Sequence, residues 1–244
     1  METTQQLKKQ YNQQYKEDFS EWRMLGGEAK AQNIIHLTKK LSFDSVLDVG
    51  SGDGSVLHWL DQAGFCKKIT SVEISTSGLE RIEARQLPSL DQVVLFDGYH
   101  IPFDDNAFDL ATCSHVMEHV EYPRVLLREI KRVSKYQVFE VPIDFSLQVD
   151  QKVDHFLSYG HINIYTPQTF RFLLMSEGLK VINYKNFLYD KTVVQRQLAS
   201  KTLFVKYLHY LKNFLRTHIG VLRELKPDVT TVLTAKTDQA LKIM

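Results

Sequence analysis

Residues Val46-Leu47-Asp48-Val49-Gly50-Ser51-Gly52-Asp53-Gly54-Ser55 constrain this chain more than any other segment. Val46, Leu47 and Val49 form the short apolar run of a buried parallel strand, and Leu57, Trp59 and Leu60 resume apolar spacing as a helix does. Between them, glycines at 50, 52 and 54 let the backbone bend sharply and approach a ligand where a Cβ would collide. A ligand is therefore expected against this turn.

The charge of the turn selects among ligands. A pyrophosphate loop favours positive charge and a free helix N-terminus. This turn carries Asp48 and Asp53 and neither Lys nor Arg. It lacks the Gly-Lys-Ser/Thr ending of a P-loop, and Ser55 stands where the third glycine of G-x-G-x-x-G belongs. S-adenosylmethionine, whose sulfonium and ammonium outweigh one carboxylate, suits an acidic turn better than NAD does. Asp48, Gly50, Ser51, Gly52 and Gly54 are thus candidate cofactor residues. Ile69-Thr70-Ser71-Val72-Glu73 reads as a second strand ending in an acid, roughly 20 residues past the turn, where a carboxylate accepts both hydroxyls of an adenosine ribose. Glu73 and the adjoining Ile74 extend the candidate site. Val93 to Asp97 reads as a third strand, its terminal acid placed to accept from the adenine amino group, with Gly98 beside it.

Ile101-Pro102-Phe103-Asp104-Asp105-Asn106-Ala107-Phe108-Asp109-Leu110 then leads into Ala111-Thr112-Cys113-Ser114-His115-Val116-Met117-Glu118-His119-Val120. With the D-x-G-x-G-x-G turn, the acid at 73, the D-(x)4-P-F-x-D-x-x-F-D run from Asp97 to Asp109 and the Glu118-His119 pair, the chain resembles the class I S-adenosylmethionine-dependent methyltransferases. The nearest branch is the small-molecule, type 11-like one that includes quinone-biosynthesis C-methyltransferases and many O- and N-methyltransferases. The motifs agree in order and spacing over about residues 43–189. The resemblance implies an α/β fold, Rossmann-like, with a seven-stranded mostly parallel sheet, helices on both faces and the last strand antiparallel. It implies S-adenosyl-L-methionine as cofactor, Ser114, His115 and His119 around the pocket, and methyl transfer to an O, N or C atom of a small-molecule acceptor. A non-catalytic S-adenosylmethionine-binding or partner-interaction protein on the same fold, and an NAD-dependent oxidoreductase, are the alternatives.

One domain accounts for 244 residues. Residues 1–41 read as a polar helical cap, with Tyr11, Tyr15, Phe19, Trp22 and Leu25 at helical spacings and a helix from Ala29 to Leu41. The cofactor-binding core is expected over 42–189 and 228–240, with strands at Val138–Pro142, Leu179–Leu188 and Asp228–Lys236 and a helix from Pro167 to Glu177. Residues 190–227 are a helical insert with net charge +6 against −5 for the remainder. Phe204, Leu208, Leu211 and Leu215 line one stripe of it, and Lys201, Lys206, Lys212 and Arg216 lie outside that stripe. Such a segment suits packing on the sheet, a lid or homodimer contact, or an anionic membrane surface. Nucleic acid is not an expected partner, because the rest of the chain is acidic and no recognition motif occurs. An anionic acceptor would match the insert. Two cysteines, a polar start and no run of about 18 apolar residues point to a cytoplasmic protein with reduced thiols.

The remaining candidates are catalytic. His155 and His161 follow the fifth strand in a segment expected to overhang the acceptor pocket, and Asp144 lies nearby; these three are the candidates for a general base. His115-Val116-Met117-Glu118-His119 also spells H-x-x-E-H, a zinc motif when both histidines share one helix and a third ligand follows. His115 is expected at a strand end instead, so no metal is expected.

Overall fold

Seven strands share one sheet in the computed structural model, which describes residues 2–15, 20–146, 149–199 and 201–237. They are β1 (Phe43–Val49), β2 (Cys66–Glu73), β3 (Leu90–Leu95), β4 (Phe108–Ser114), β5 (Ser134–Pro142), β6 (Leu179–Phe187) and β7 (Val229–Lys236). The order is β3-β2-β1-β4-β5-β7-β6, with every pairing parallel except those of β7, which runs antiparallel to both neighbours. The seven-stranded, mostly parallel expectation is met. β6 therefore points the same way as β1, and the segment that follows it leaves from the carboxyl edge of the sheet.

Alternate side chains of the central strands feed opposite layers. Val46, Val138 and Leu233 face one side, where they pack with Ala31 and Ile34 of α2 (Ser20–Thr38), Leu57 and Leu60 of α3 (Ser55–Gln62) and Ile82 of α4 (Thr76–Ala84). Leu47, Phe139 and Val232 face the other, against Leu126 and Ile130 of α5 (Pro123–Val133) and Phe170 and Leu174 of α7 (Pro167–Ser176). Each such fully buried side chain contributes about 1.5–3 kcal/mol relative to exposure.

Several boundaries differ from the sequence reading. The helix expected from Ala29 begins at Ser20 and runs straight through Gly26 and Gly27. Gly27 is needed for close packing, since a Cβ there would lie 2.8 Å from the backbone of Ser55. The Trp59 indole N–H, donating 3.0 Å to the Met24 carbonyl, ties α2 to α3 at the same place. β5 starts at Ser134, four residues earlier than expected. His115 follows the end of β4, His115–Val120 is a turn, and the next helix starts at Pro123. The segment after β5 holds a 3-10 turn (Val149–Lys152) and a short helix α6 (Val153–Ser158), so His155 is helical. Phe19 and residues 238–240 lie outside the described residues.

The insert forms three helices, α8 (Lys191–Gln197), α9 (Leu203–His218) and α10 (Gly220–Leu225). Arg216, expected on the solvent side, is buried instead and donates 2.5 Å to the Asp228 carboxylate at the start of β7. Phe204, Leu208, Leu211 and Leu215, the apolar stripe of the insert, are all exposed rather than packed on the sheet.

Candidate active site

The strand order reverses between β1 and β4, and loops on either side of that point diverge at their carboxyl ends. The glycine turn fills this gap. Gly50 (φ +74°) donates 2.8 Å to the Val72 carbonyl, and a Cβ on it would meet Val116 at 2.6 Å. Gly52 (φ +59°) would place a Cβ 2.7 Å from the Tyr15 hydroxyl. Gly54 (φ +75°) opens α3. Ser51 donates to the Asp48 carbonyl and accepts from Ser71, bracing the turn against β2.

Glu73 ends β2 directly beside the turn. It is 3% exposed, accepts 2.8 Å from the Gly52 N–H through one oxygen and 2.9 Å from the Ser75 N–H through the other. Burial raises its pKa, with those hydrogen bonds working the other way. The second oxygen also accepts 2.8 Å from the Ser75 hydroxyl, so the oxygen bonded to Gly52 is the one that keeps a lone pair for a ligand hydroxyl. Ile74 and Gly98 line the same cavity. Asp97 is not brought to it. Its carboxylate is exposed and accepts 2.7 Å from both the Tyr99 and His100 N–H groups, so it serves the fold of its own loop.

The acidity of the turn is weaker than its sequence suggests. Asp53 is paired with Arg85, the residue that caps the end of α4, at 3.1 Å. Asp48 is fully enclosed, accepts 2.5 Å from the Thr112 hydroxyl, and burial pushes its carboxyl up. Glu73 and Glu118 are buried carboxylates on the cavity wall with no Lys or Arg paired to them.

Across the cavity, β4 and β5 deliver a second group. Ser114 donates 3.3 Å to Glu140 of β5, and the His115 ring (backbone φ +56°) lies 3.3 Å from the same carboxylate. Asn33 and Thr231 also donate to Glu140; burial opposes its ionisation, but His115 and these donors hold its pKa low. His119 contacts the Gly160 carbonyl at 3.0 Å through Nδ1, and burial lowers its pKa. His161 lies 2.6 Å from Asp144 through Nδ1. Burial disfavours its charged form, yet the Asp144 bond and the Glu118 charge prevail and raise its pKa. Asp144, His155 and His161 all line the cavity, although His155 is largely in solvent.

Sequence reasoning missed three contributors. α1 (Glu2–Gln14) lies over the turn, placing Tyr11 and Tyr15 on the cavity wall, where burial beside Glu118 and Glu73 raises both phenol pKa values. Glu140 was read only as part of a strand, yet a lone acid inside Val-Phe-Glu-Val-Pro was the available signal. Lys30 of α2 lines the cavity with no motif to mark it. The whole cavity measures about 1710 Å³, well beyond the space of one small ligand.

Comparison with known proteins agrees with this geometry. Residues 47–137 match the family described as "Methyltransferase domain". The chain is 27% identical to Sterol 4-C-methyltransferase strm-1 of Caenorhabditis elegans over 138 residues, 52% of this chain and 40% of that one. It is 28% identical to Demethylmenaquinone methyltransferase of Thermotoga maritima over 104 residues, 43% of this chain and 44% of that one. The chain thus spans less than half the length of these curated relatives. Its fold is that of the Haemonchus contortus phosphoethanolamine N-methyltransferase 2 solved with S-adenosylhomocysteine, with a TM-score of 0.62 at 14% identity, covering 86% of this chain and 52% of that one. In motif order, sheet topology and this match over residues 47–137, the chain is similar to the class I S-adenosylmethionine-dependent methyltransferases, and its fold is theirs.

Proposed function

We propose that the chain transfers a methyl group from S-adenosylmethionine to an O, N or C atom of a small-molecule acceptor. One observation carries this reading: three left-handed glycines stand beside the buried carboxylate of Glu73, on a cavity large enough for cofactor and acceptor together. The residues fit the cofactor. A Cβ at Gly50 or Gly52 would close the space, the Glu73 oxygen bonded to Gly52 keeps a lone pair for a ribose hydroxyl, and no lysine or arginine in the turn favours a pyrophosphate. The cofactor-binding set is Asp48, Gly50, Ser51, Gly52, Gly54, Glu73, Ile74, Gly98, Ser114, His115 and His119, with Asp48 supporting the turn from below. Asp97 drops from direct contact.

When bound, the cofactor supplies an electrophilic methyl carbon on a good leaving group. The chain's own task is alignment, which can contribute about 7–11 kcal/mol. The wall made by Asp144, His155 and His161 is where the acceptor is held, and Lys152 and Lys201 beside it suit an anionic substituent. We assign 1–41 as a cap, 42–189 and 228–240 as the core, and 190–227 as an insert that shapes acceptor entry. Asp190, Val193 and Lys201 of the insert line the cavity and support that role.

Calorimetry with S-adenosylhomocysteine, with NADH as control, tests the cofactor. Incubation with methyl-labelled cofactor and a metabolite panel tests the transfer. Tight binding without transfer to any acceptor would favour a non-catalytic binder.

A further inference from the structure

We propose that Glu118, His119 and His161 form a site for one divalent transition-metal ion on the acceptor side of the cavity. Their ligand atoms all lie within 4.8 Å of one another. Donors sharing an ion with bonds of about 2.0–2.2 Å sit roughly 3–3.5 Å apart, so side-chain rotations of about 1 Å close the set.

Glu118 supplies the first independent reason. It is 1% exposed, and neither carboxylate oxygen has a hydrogen-bond partner. The nearest cationic candidates are the His115 Nδ1 at 3.6 Å and the His119 Nε2 at 3.8 Å, both too far to satisfy it. A buried carboxylate without partners costs several kcal/mol, and a bound cation removes that cost.

The histidines supply the second. In each, Nδ1 faces an acceptor away from Glu118: the Gly160 carbonyl at 3.0 Å for His119 and the Asp144 carboxylate at 2.6 Å for His161. An N–H at Nδ1 leaves the lone pair on Nε2, which is the arrangement in which metal-bound histidines are held by a carbonyl or carboxylate behind them.

The backbone supplies the third. The N–H groups of Ile162 and Asn163 both donate to the Glu118 carbonyl, at 2.9 and 3.0 Å, and the Asn163 amide donates to the carbonyls of Met117 and Val120. His161 is thereby pinned against the turn bearing Glu118 and His119, although 42 positions separate His119 from it in sequence. The H-x-x-E-H motif thus acts through its Glu and second His in a turn, and His115 is directed to Glu140 instead.

Two imidazoles and one carboxylate suit Zn²⁺, Co²⁺ or Fe²⁺ rather than Mg²⁺ or Ca²⁺, which prefer oxygen donors. Three protein ligands leave open positions, and we assign them to an oxygen of the acceptor. That last assignment rests on the methyl-transfer reading, whereas ion binding rests only on the atoms above. His161 is then a ligand and Asp144 its positioning residue.

The test uses full-length protein stripped by a chelator and titrated with Co²⁺, followed by visible absorption and calorimetry. One Co²⁺ per chain, displaced by Zn²⁺, is expected. Glu118→Gln and His161→Asn should each weaken Co²⁺ about 100-fold or more, and Asp144→Asn about 10–100-fold. Glu118→Gln removes an unpaired buried charge, so it is expected to fold even if His161→Asn does not. Absent stoichiometric binding, or equal affinity in wild type and Glu118→Gln, overturns the site. S-adenosylhomocysteine affinity of the stripped protein is measured in parallel. A protein that binds S-adenosylhomocysteine but takes up no Co²⁺ sinks the metal site and leaves methyl transfer standing, and one that takes up Co²⁺ but binds no S-adenosylhomocysteine does the opposite.

Discussion

Glu73 and Asp97 both stand at the ends of parallel strands, yet of the two only Glu73 lines the cavity. Glu73 sits beside the turn with Gly52 and Ser75 as donors, so Glu73→Ala should weaken S-adenosylhomocysteine binding by about 1.5–3 kcal/mol in calorimetry. Asp97→Ala should change that affinity far less, because Asp97 is exposed, holds its own loop through Tyr99 and His100, and does not line the cavity. The strand-end position of each acid is legible in the sequence, but which N–H groups claim it depends on the loop conformation. Asp53 illustrates the same limit: its counter-ion, Arg85, lies 32 residues away. A second test concerns stability. Asp109 accepts from Lys135, Ser45 and Asp44, joining the starts of β4, β5 and β1, and the Lys135 hydrogen bond leads in lowering its pKa to about 2. A carboxyl depressed below its unfolded value of about 3.9 stabilises the fold above that pH and loses the effect as pH falls through about 2. Asp109→Ala should therefore cost about 1–2 kcal/mol at pH 7 by denaturant unfolding and nearly nothing near pH 2. An equal cost at both pH values would show that packing, not charge, is lost.

At the scale of elements, the strands were the easiest to read and the capping helices the hardest. β1, β2 and β4 carry short apolar runs and punctuating turns, which local sequence shows directly. α1 is polar in sequence, and nothing local shows that it folds back over the turn. Its anchors are non-local: Asn12 accepts from the Thr76 hydroxyl and the Ser77 N–H of α4, and Arg81 donates 2.7 Å to the Tyr15 carbonyl. Tyr11 stacks on Tyr15 at 5.9 Å and meets the edge of His119. α1 therefore covers the cofactor turn while resting on α4, an arrangement suited to a lid. Asn12→Ala and Tyr15→Ala should speed S-adenosylhomocysteine release, measured by stopped-flow displacement, more than they lower the melting temperature of the ligand-free protein. Unchanged release rates in both variants would make α1 a fixed wall.

For the whole molecule, the uneven charge distribution was legible as a sum but not as a surface. Of the eight basic residues in 190–227, Arg216 is spent on Asp228, Arg196 on Glu21, and Lys226 on the carbonyls of Ile143 and Phe145. Lys201 turns into the cavity. Among the described residues, no helix is long and apolar enough to cross a membrane. α9 nevertheless exposes Leu203 by 84%, Phe204 by 70%, Tyr207 by 64% and Phe214 by 58%, with Lys206 and Lys212 on the same helix. Water is a poor solvent for those aromatics, and an anionic lipid surface would accommodate them with Lys212 and with Lys206, which donates 3.1 Å to the Ala199 carbonyl, flanking them on the helix. Sedimentation with anionic vesicles at low salt should carry the wild-type chain down. Lys206→Gln with Lys212→Gln should weaken this by roughly 1 kcal/mol per charge, a difference that disappears at high salt. Phe204→Ser with Phe214→Ser should abolish it at any salt. None of these four residues lines the cavity, so S-adenosylhomocysteine affinity should stay at the wild-type value in every variant. If the chain ignores vesicles but sediments alone as a dimer that Phe204→Ser dissociates, the exposed face is covered by a second copy instead.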